Sequence, residues 1–329
     1  MGKGSDLIQR IRLIEMAKRK TRKKTAERES SENSIIEMET VSSNSSESEI
    51  TEEKPKKRRG RRKKKVDSEN GDSVSLKSAL SSSVPSKLKI LCIFHKEVPI
   101  DDRIIDSNVY IPIFGGKVNY HGDSETIKSM LGDDTGDNIS GMNRYLNEIT
   151  VMYWVWKHYD EIGSPEYIGF NHYRRFIEWK DEDLSDDTVL ARDFSLDGKT
   201  VYEQYKEGHV IEDFDLFNKH LKEDVFCGDS KWLRSYDRFL HRKSLYNNNI
   251  FIMPKKMFFD FMETFMSKCI DICVKMIGNH EIDLMRKDVY QRRAYGFILE
   301  RMTGFYIYHM TTVGGYKVKL TDRECVNCV

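Results

Sequence analysis

An apolar run that ends in His172-Tyr173-Arg174-Arg175 sets an imidazole, a phenol and two guanidinium groups at the end of a strand. Paired guanidinium groups suit phosphate oxygens, because each planar fork donates parallel charge-assisted hydrogen bonds. Ligands of open α/β sheets bind at the carboxyl ends of strands, so this spacing points to a phosphate-bearing ligand. The competing reading of Arg174 and Arg175 is pairing with surface carboxylates. A second group, Gly132-Asp133-Asp134-Thr135-Gly136-Asp137-Asn138-Ile139-Ser140, packs three carboxylates into five residues. Such a loop can hold a divalent cation through oxygen ligands, orient hydroxyls or supply a general base. Asp137, Asn138 or Ser140 also suits the cap of the helix that follows. A third group is Asn247-Asn248-Asn249 inside an apolar strand. Buried amides are costly without partners and strand side chains alternate, so at least one faces inward, and Asn249 is the residue expected to do so.

The elements that must position these groups begin at Lys87. Leu88 to Phe94 reads as a first buried strand ending at His95-Lys96, and Val109 to Phe114 as a second. A helix is expected from about Tyr145 to Tyr159, followed by the strand that ends at His172. A further strand covers Leu245 to Met253, and two helices, near Lys255 to Ile277 and Asp283 to Met302, close the domain. This order, with charges at successive strand ends, argues for an α/β fold with a mostly parallel sheet flanked by helices. His209 and Asp213 fall four apart, on one face if their segment is helical.

Charge divides the 329-residue chain. Residues 1–86 hold 21 Lys or Arg against 14 Asp or Glu, and the rest 33 against 39. Residues 27–53 are rich in Ser, Glu and Asn and nearly free of aromatics, a composition that predicts disorder. Lys54 to Lys65 is basic except at Pro55 and Gly60. That run suits the import machinery, a nucleic acid or an anionic membrane surface, and equally a solubilising tail. Residues 6–24 have the pattern of a short basic amphipathic helix. No run approaches the roughly 20 apolar residues of a membrane span, and no apolar core follows the N-terminal charges as in a signal peptide. A cytoplasmic protein with reduced thiols is therefore expected, peripheral at a membrane or nuclear if the basic run is read that way. The expected domains are a disordered basic tail (1–86), a folded domain (87–313) and a C-terminal tail (314–329), which includes Cys325-x-x-Cys328.

The strings LGDDTGDNIS, NEITVMYWVWKHYD, YIGFNHYRRFIEW, VYEQYKEGHVIEDFD, LYNNNIFIMPKKMFFDFM and QRRAYGFILERM occur in this order. In this the chain resembles, over roughly residues 87 to 310, the bacterial capsular and exopolysaccharide glycosyltransferase family catalogued as domain of unknown function 4422. The resemblance implies a GT-A-like, Rossmann-type fold that moves a sugar from a nucleoside-diphosphate-sugar donor to a glycan or other hydroxyl acceptor. Metal-dependent enzymes of that fold end the equivalent strand in Asp-x-Asp, which holds manganese or magnesium. His172-Tyr173-Arg174 stands there instead, which implies that cations take over part of the ion's work and leaves both a manganese or magnesium ion and a metal-independent reaction open. If an ion is held, Asp133, Asp137 and His172 are its expected ligands. Asp134 and Asp137 are the expected bases, and Arg174 and Arg175 the expected partners of the leaving diphosphate. His95, Lys96, Asp133, His172 and Asn249 are expected to bind the donor. Arg293, Glu300 and Arg301 fall in the final block, as substrate contacts or as a network bracing helices. The alternative function is nucleic-acid or chromatin binding by the basic tail, with the transferase-like domain as a scaffold.

Overall fold

Seven residues, Leu88–Phe94, form strand β1, and all but Lys89 are buried. A strand apolar on both faces belongs in the middle of a parallel sheet, covered on both sides. In the computed structural model β1 has parallel neighbours on each side. Strand β2 (Tyr110–Phe114) runs in register from Ile90 opposite Tyr110 to Phe94 opposite Phe114. Strand β4 (Tyr167–His172) runs from Leu88 opposite Tyr167 to Ile93 opposite His172. The short β3 (Leu131–Gly132) lies outside β2. The remaining strands are β5 (Arg175–Ile177), β6 (Thr188–Ser195), β7 (Ser244–Pro254), β8 (Lys317–Leu320) and β9 (Arg323–Cys325). They complete a nine-stranded sheet in the order β3-β2-β1-β4-β7-β6-β8, with β5 pairing β4 and β9. The structure describes residues 86–105, 107–281 and 288–325, all within one unit, Ser75–Val329. The expected tail, its amphipathic helix at 6–24 and the run from Lys54 to Lys65 lie outside the described residues, as does Cys328.

The chain adds β2 and then β3 on one side of β1, then crosses to place β4 on the other. The strand order thus reverses between β1 and β4, and in open α/β sheets ligands bind at the carboxyl ends of the strands at such a point. Strand β7 is antiparallel to β4 from Tyr167 opposite Pro254 to Phe170 opposite Phe251. It then bulges. Ala191 of β6 faces Phe251 but Asp193 faces Tyr246, so Asn247 to Ile250 loop out opposite Arg192. Asn248 and Asn249 have φ of 65° and 54°, a region that Asn enters more readily than other side-chain-bearing residues. The Asn triplet is thus a bulge inside the strand expected from the apolar run.

Helices α1 (Ile149–Lys157), α2 (Val201–Gly208), α3 (Ile211–His220), α4 (Ser230–Leu240), α5 (Lys255–Asp260), α6 (Ser267–Gly278) and α7 (Ala294–Thr312) flank the sheet. Four sequence expectations are corrected. The helix expected from Tyr145 starts at Ile149, because Asn147 (φ 53°, ψ −134°) breaks the path from the single turn Asn143–Leu146. The last helix begins at Ala294 and runs to Thr312, and the residues read as a C-terminal tail contribute β8 and β9 to the sheet. His209 ends α2 and Asp213 lies in the first turn of α3, so they do not share a helical face.

Helix α7 is buried along most of its length and carries Gly296, Glu300 and Gly304 four residues apart on one face. A Cβ on Gly304 would lie 2.7 Å from the carbonyl oxygen of Tyr246, and one on Gly296 would overlap the Asn147 amide at 1.9 Å. Both glycines let the helix backbone press against β7 and the Asn147 corner. Gly304→Ala is therefore expected to destabilise by about 1–3 kcal/mol through overpacking. It should read as a lower urea midpoint at unchanged slope, and an unmoved midpoint would refute this close approach.

Candidate functional site

The carboxyl edge of the parallel strands gathers most of the singled-out residues. His95 directly follows β1, and its ring centre is 5.5 Å from that of His172 at the end of β4 and 5.3 Å from Tyr173. The Lys96 ammonium and the Arg174 guanidinium lie 5.8 and 5.7 Å from the centre of the Tyr173 ring. Arg175 opens β5, paired with His172 across the turn. Among the described residues no carboxylate comes within ion-pair distance of Arg174 or Arg175, and the Nε atom of each is buried without a partner. The pairing with surface carboxylates that competes for these arginines is thus not what the fold provides.

Glu148 joins this group from the residue before α1. Its Oε1 is 3.7 Å from His172 Nε2, and the two side chains are only 20% and 11% exposed. Burial pushes the Glu148 carboxyl up, but His172, a backbone amide and Arg293 outweigh it and hold it below the ordinary value. Burial and the neighbouring His172 push His95 down to about 4, so it is uncharged at neutral pH. Arg293 is steered by Asn147, whose Oδ1 accepts from its Nε at 2.9 Å. The strained Asn147 is held in turn by Asn143, which donates to the Asn147 carbonyl at 2.9 Å.

The bulge of β7 closes the group from the other side. The Asn248 N–H donates to Glu300 Oε1 at 2.6 Å. Burial raises the Glu300 carboxyl above the usual range, against the pull of Arg301. Asn249 is 5% exposed, and its Oδ1 has no hydrogen-bond partner, as is also true of Asn247 Oδ1 and His172 Nδ1. Native interiors rarely leave such atoms unpaired, so their concentration at one strand edge marks where a ligand's polar groups would complete the set. Arg301 lies apart: it donates to the Phe297 carbonyl and the Gln204 side chain, a bracing role.

The acidic loop behaves differently. Asp133 is fully buried, and its oxygens accept from the amides of Gly116 (2.9 Å to each oxygen) and Lys117 (3.1 Å) and from the hydroxyls of Ser140 (2.5 Å) and Thr150 (2.6 Å). Every acceptor direction is engaged in fastening β2, the loop and α1 together. Asp137 accepts from the Tyr153 hydroxyl at 3.1 Å and lies 4.0 Å from Lys157, along α1 and away from the end that carries Glu148. Asp134 is half-buried, and the described residues give its side chain no partner. It follows β3, three strand spacings or roughly 14 Å from β4. The three expected metal ligands, Asp133, Asp137 and His172, are therefore not brought together. No group of three or more His, Cys, Asp or Glu among the described residues is arranged to hold a metal ion, so these side chains do not fit the ion that the fold resemblance implies.

Sequence reasoning missed Glu148, which reads as an ordinary acidic residue at a helix start, and Asn147, whose backbone strain has no local signal. A carboxylate immediately before a strongly apolar helix, in a chain whose strands end in histidines, was the available hint.

The fold has a counterpart among solved structures. The chain aligns with the apo structure of the bifunctional glycosyltransferase WbbM at a TM-score of 0.60 and 23% identity, over 73% of this chain and 45% of that one. It thus spans less than half of that protein, and the likeness is one of fold. No curated protein matches the sequence. The family model described as domain of unknown function (DUF4422) matches residues 89–311, a span that runs from β1 to the last turn of α7 and takes in every residue of the strand-edge group, so the chain belongs to that family.

Proposed function

We propose that this protein is a glycosyltransferase that moves a sugar from a nucleoside-diphosphate donor to a hydroxyl acceptor, with a glycan as the acceptor best matched to the resemblance. The observation that carries the reading is the set of buried, unpartnered polar atoms on His172, Arg174, Arg175 and Asn249 at the sheet edge where the strand order reverses. Guanidinium groups without carboxylate partners are suited to a diphosphate, whose negative charge grows as the bond to the sugar breaks. Lys96 and His95 would meet the nucleotide at the end of β1, and Asn249 would present its amide to the sugar. Asp134, across the sheet from these cations, would contact the donor's outer end. Asp133 would act indirectly, by fixing the loop, and Asp137 is left without a part in the transfer. No step is routed through a metal ion. The shared fold with WbbM, itself a bifunctional glycosyltransferase, supports this assignment. The alternative of nucleic-acid binding rests on residues outside the described ones and gains nothing from this site.

The test is a thermal-shift panel of the full-length chain against nucleoside diphosphates and their sugars, with and without manganese. A ligand at 100 times its Kd stabilises by about 2.7 kcal/mol, which for a domain of this size corresponds to a rise of roughly 5–10 °C. A shift that depends on the base is expected, and the absence of a shift with every nucleotide would remove the basis of the proposal.

A further inference from the structure

We propose that Glu148 and His172 form a carboxylate–imidazole dyad in which His172 takes the proton of the attacking hydroxyl and Glu148 is the positioning residue behind it. This rests on the transferase reading above and names its base in place of the two expected ones, Asp137, which Tyr153 and Lys157 engage, and Asp134, which follows β3 roughly 14 Å from β4. The geometry is that of a base with an orienter. His172 Nε2 faces Glu148 Oε1 at 3.7 Å, while Nδ1, the other ring nitrogen, has no partner. A separation wider than a hydrogen bond is ordinary for such a pair without ligand, and it tightens when substrate and charge arrive. The ring stands at the carboxyl end of β4, where the strand order reverses.

The surroundings of His172 select Glu148 as its counter-ion. The His95 ring faces it from the end of β1 and the Tyr173 ring from the turn that follows. Arg293 acts on Glu148 and on His95 from ahead of α7. Glu148 is the one carboxylate within 4 Å of His172 among the described residues, and Glu300 of α7 is felt by Glu148. His95, the neighbouring imidazole, has no carboxylate partner and is pushed down to about 4, which makes it the poorer base.

In the step, the hydroxyl proton passes to His172 Nδ1 as the oxygen forms its bond to the anomeric carbon. The bond from that carbon to the diphosphate breaks, and its electron pair leaves on the terminal phosphate oxygen. The imidazolium, stabilised by Glu148, then returns its proton to solvent. A single displacement of this kind inverts the anomeric centre.

The experiment uses the full-length protein, the diphosphate sugar that gives the largest thermal shift, and water as the probe acceptor, with release of nucleoside diphosphate as the readout. Glu148→Gln is expected to lower kcat about 100-fold with donor KM within twofold. Removing the negative charge 3.7 Å from the imidazole should move the acid limb of the kcat profile to lower pH. The His172 resonances in an NMR titration should move by the same amount, a readout that needs no turnover. Glu148→Asp keeps the charge and should keep the limb. NMR of the first turnovers should show the released sugar with inverted configuration. An active parent whose acid limb and His172 titration are unchanged in Glu148→Gln, or whose product retains configuration, overturns the dyad while leaving the transferase intact. Failure of every nucleotide to bind the parent overturns both.

Discussion

Asp133→Ala is expected to lower the unfolding free energy by about 3–5 kcal/mol, the largest stability effect of any single change in the sheet-edge group. The reason is the number of donors that one carboxylate satisfies. Two backbone amides and two hydroxyls converge on it from the β2 turn, the loop and α1, and truncation strands all four in a buried place, each worth about 1–3 kcal/mol when left unpaired. Relaxation and water entry will recover part of the sum, hence the range. Asp133→Asn keeps one acceptor oxygen, and the two hydroxyls can turn to accept from its amide, so a loss of about 1–2 kcal/mol is expected there. Urea unfolding of both variants is the measurement. If Asp133→Ala unfolds at the parent's midpoint but binds nucleotide poorly, the residue is a donor ligand as its sequence context suggested, and its place as the fastener of the loop is wrong.

That contrast shows what sequence could and could not convey about the site. A carboxylate between glycines looks the same whether it waits for a ligand or is saturated by amides, because the donors of Gly116 and Lys117 are backbone groups that no side-chain pattern announces. His172, Arg174 and Arg175 were legible because charge at the end of an apolar run needs only local order to reach a sheet edge. The Glu148–His172 pair was not, since it depends on the parallel register of β1 and β4 and on the break at Asn147 that turns the residue before α1 over that edge. The fold divides in the same way. Strands β1 and β4 and residues 250–253 of β7 are apolar runs and declare themselves, as do the helices that follow β7, although the last begins at Ala294 rather than near Asp283. Strand β8, Lys-Val-Lys-Leu, is short and largely exposed, and it is a strand because β6 offers it a parallel partner, a tertiary cause without a local signature. The three Asn residues gave the right location and the wrong shape: Asn249 is buried, as side-chain alternation required, but within a bulge around Asn248 and Asn249 rather than in a regular strand.

The Arg174→Ala, Arg175→Ala double variant is expected to reduce sugar transfer by about 10³-fold or more while leaving stability within about 1 kcal/mol of the parent. The catalytic part follows from charge development. Removing a single preorganised donor to a developing oxyanion typically lowers kcat by about 10²–10³, and here two guanidinium forks disappear from the place proposed for the leaving diphosphate. Lysine at either position should rescue only in part, since a point charge on a flexible stem cannot reproduce the planar bidentate contact. The stability part follows from what the arginines lack. Neither has a carboxylate within ion-pair distance among the described residues, and each has a buried Nε without a partner, so alanine removes two unsatisfied groups against the loss of one contact between Arg174 and the Tyr173 ring. Binding sites commonly trade stability for function in this way, and a slight rise in the urea midpoint would agree with it. The two measurements decide together. Activity lost at parental stability places the arginines on the substrate, whereas parental activity with a lower midpoint would make them braces of the β4–β5 turn and shift the task of meeting the diphosphate to Lys96 and Arg293.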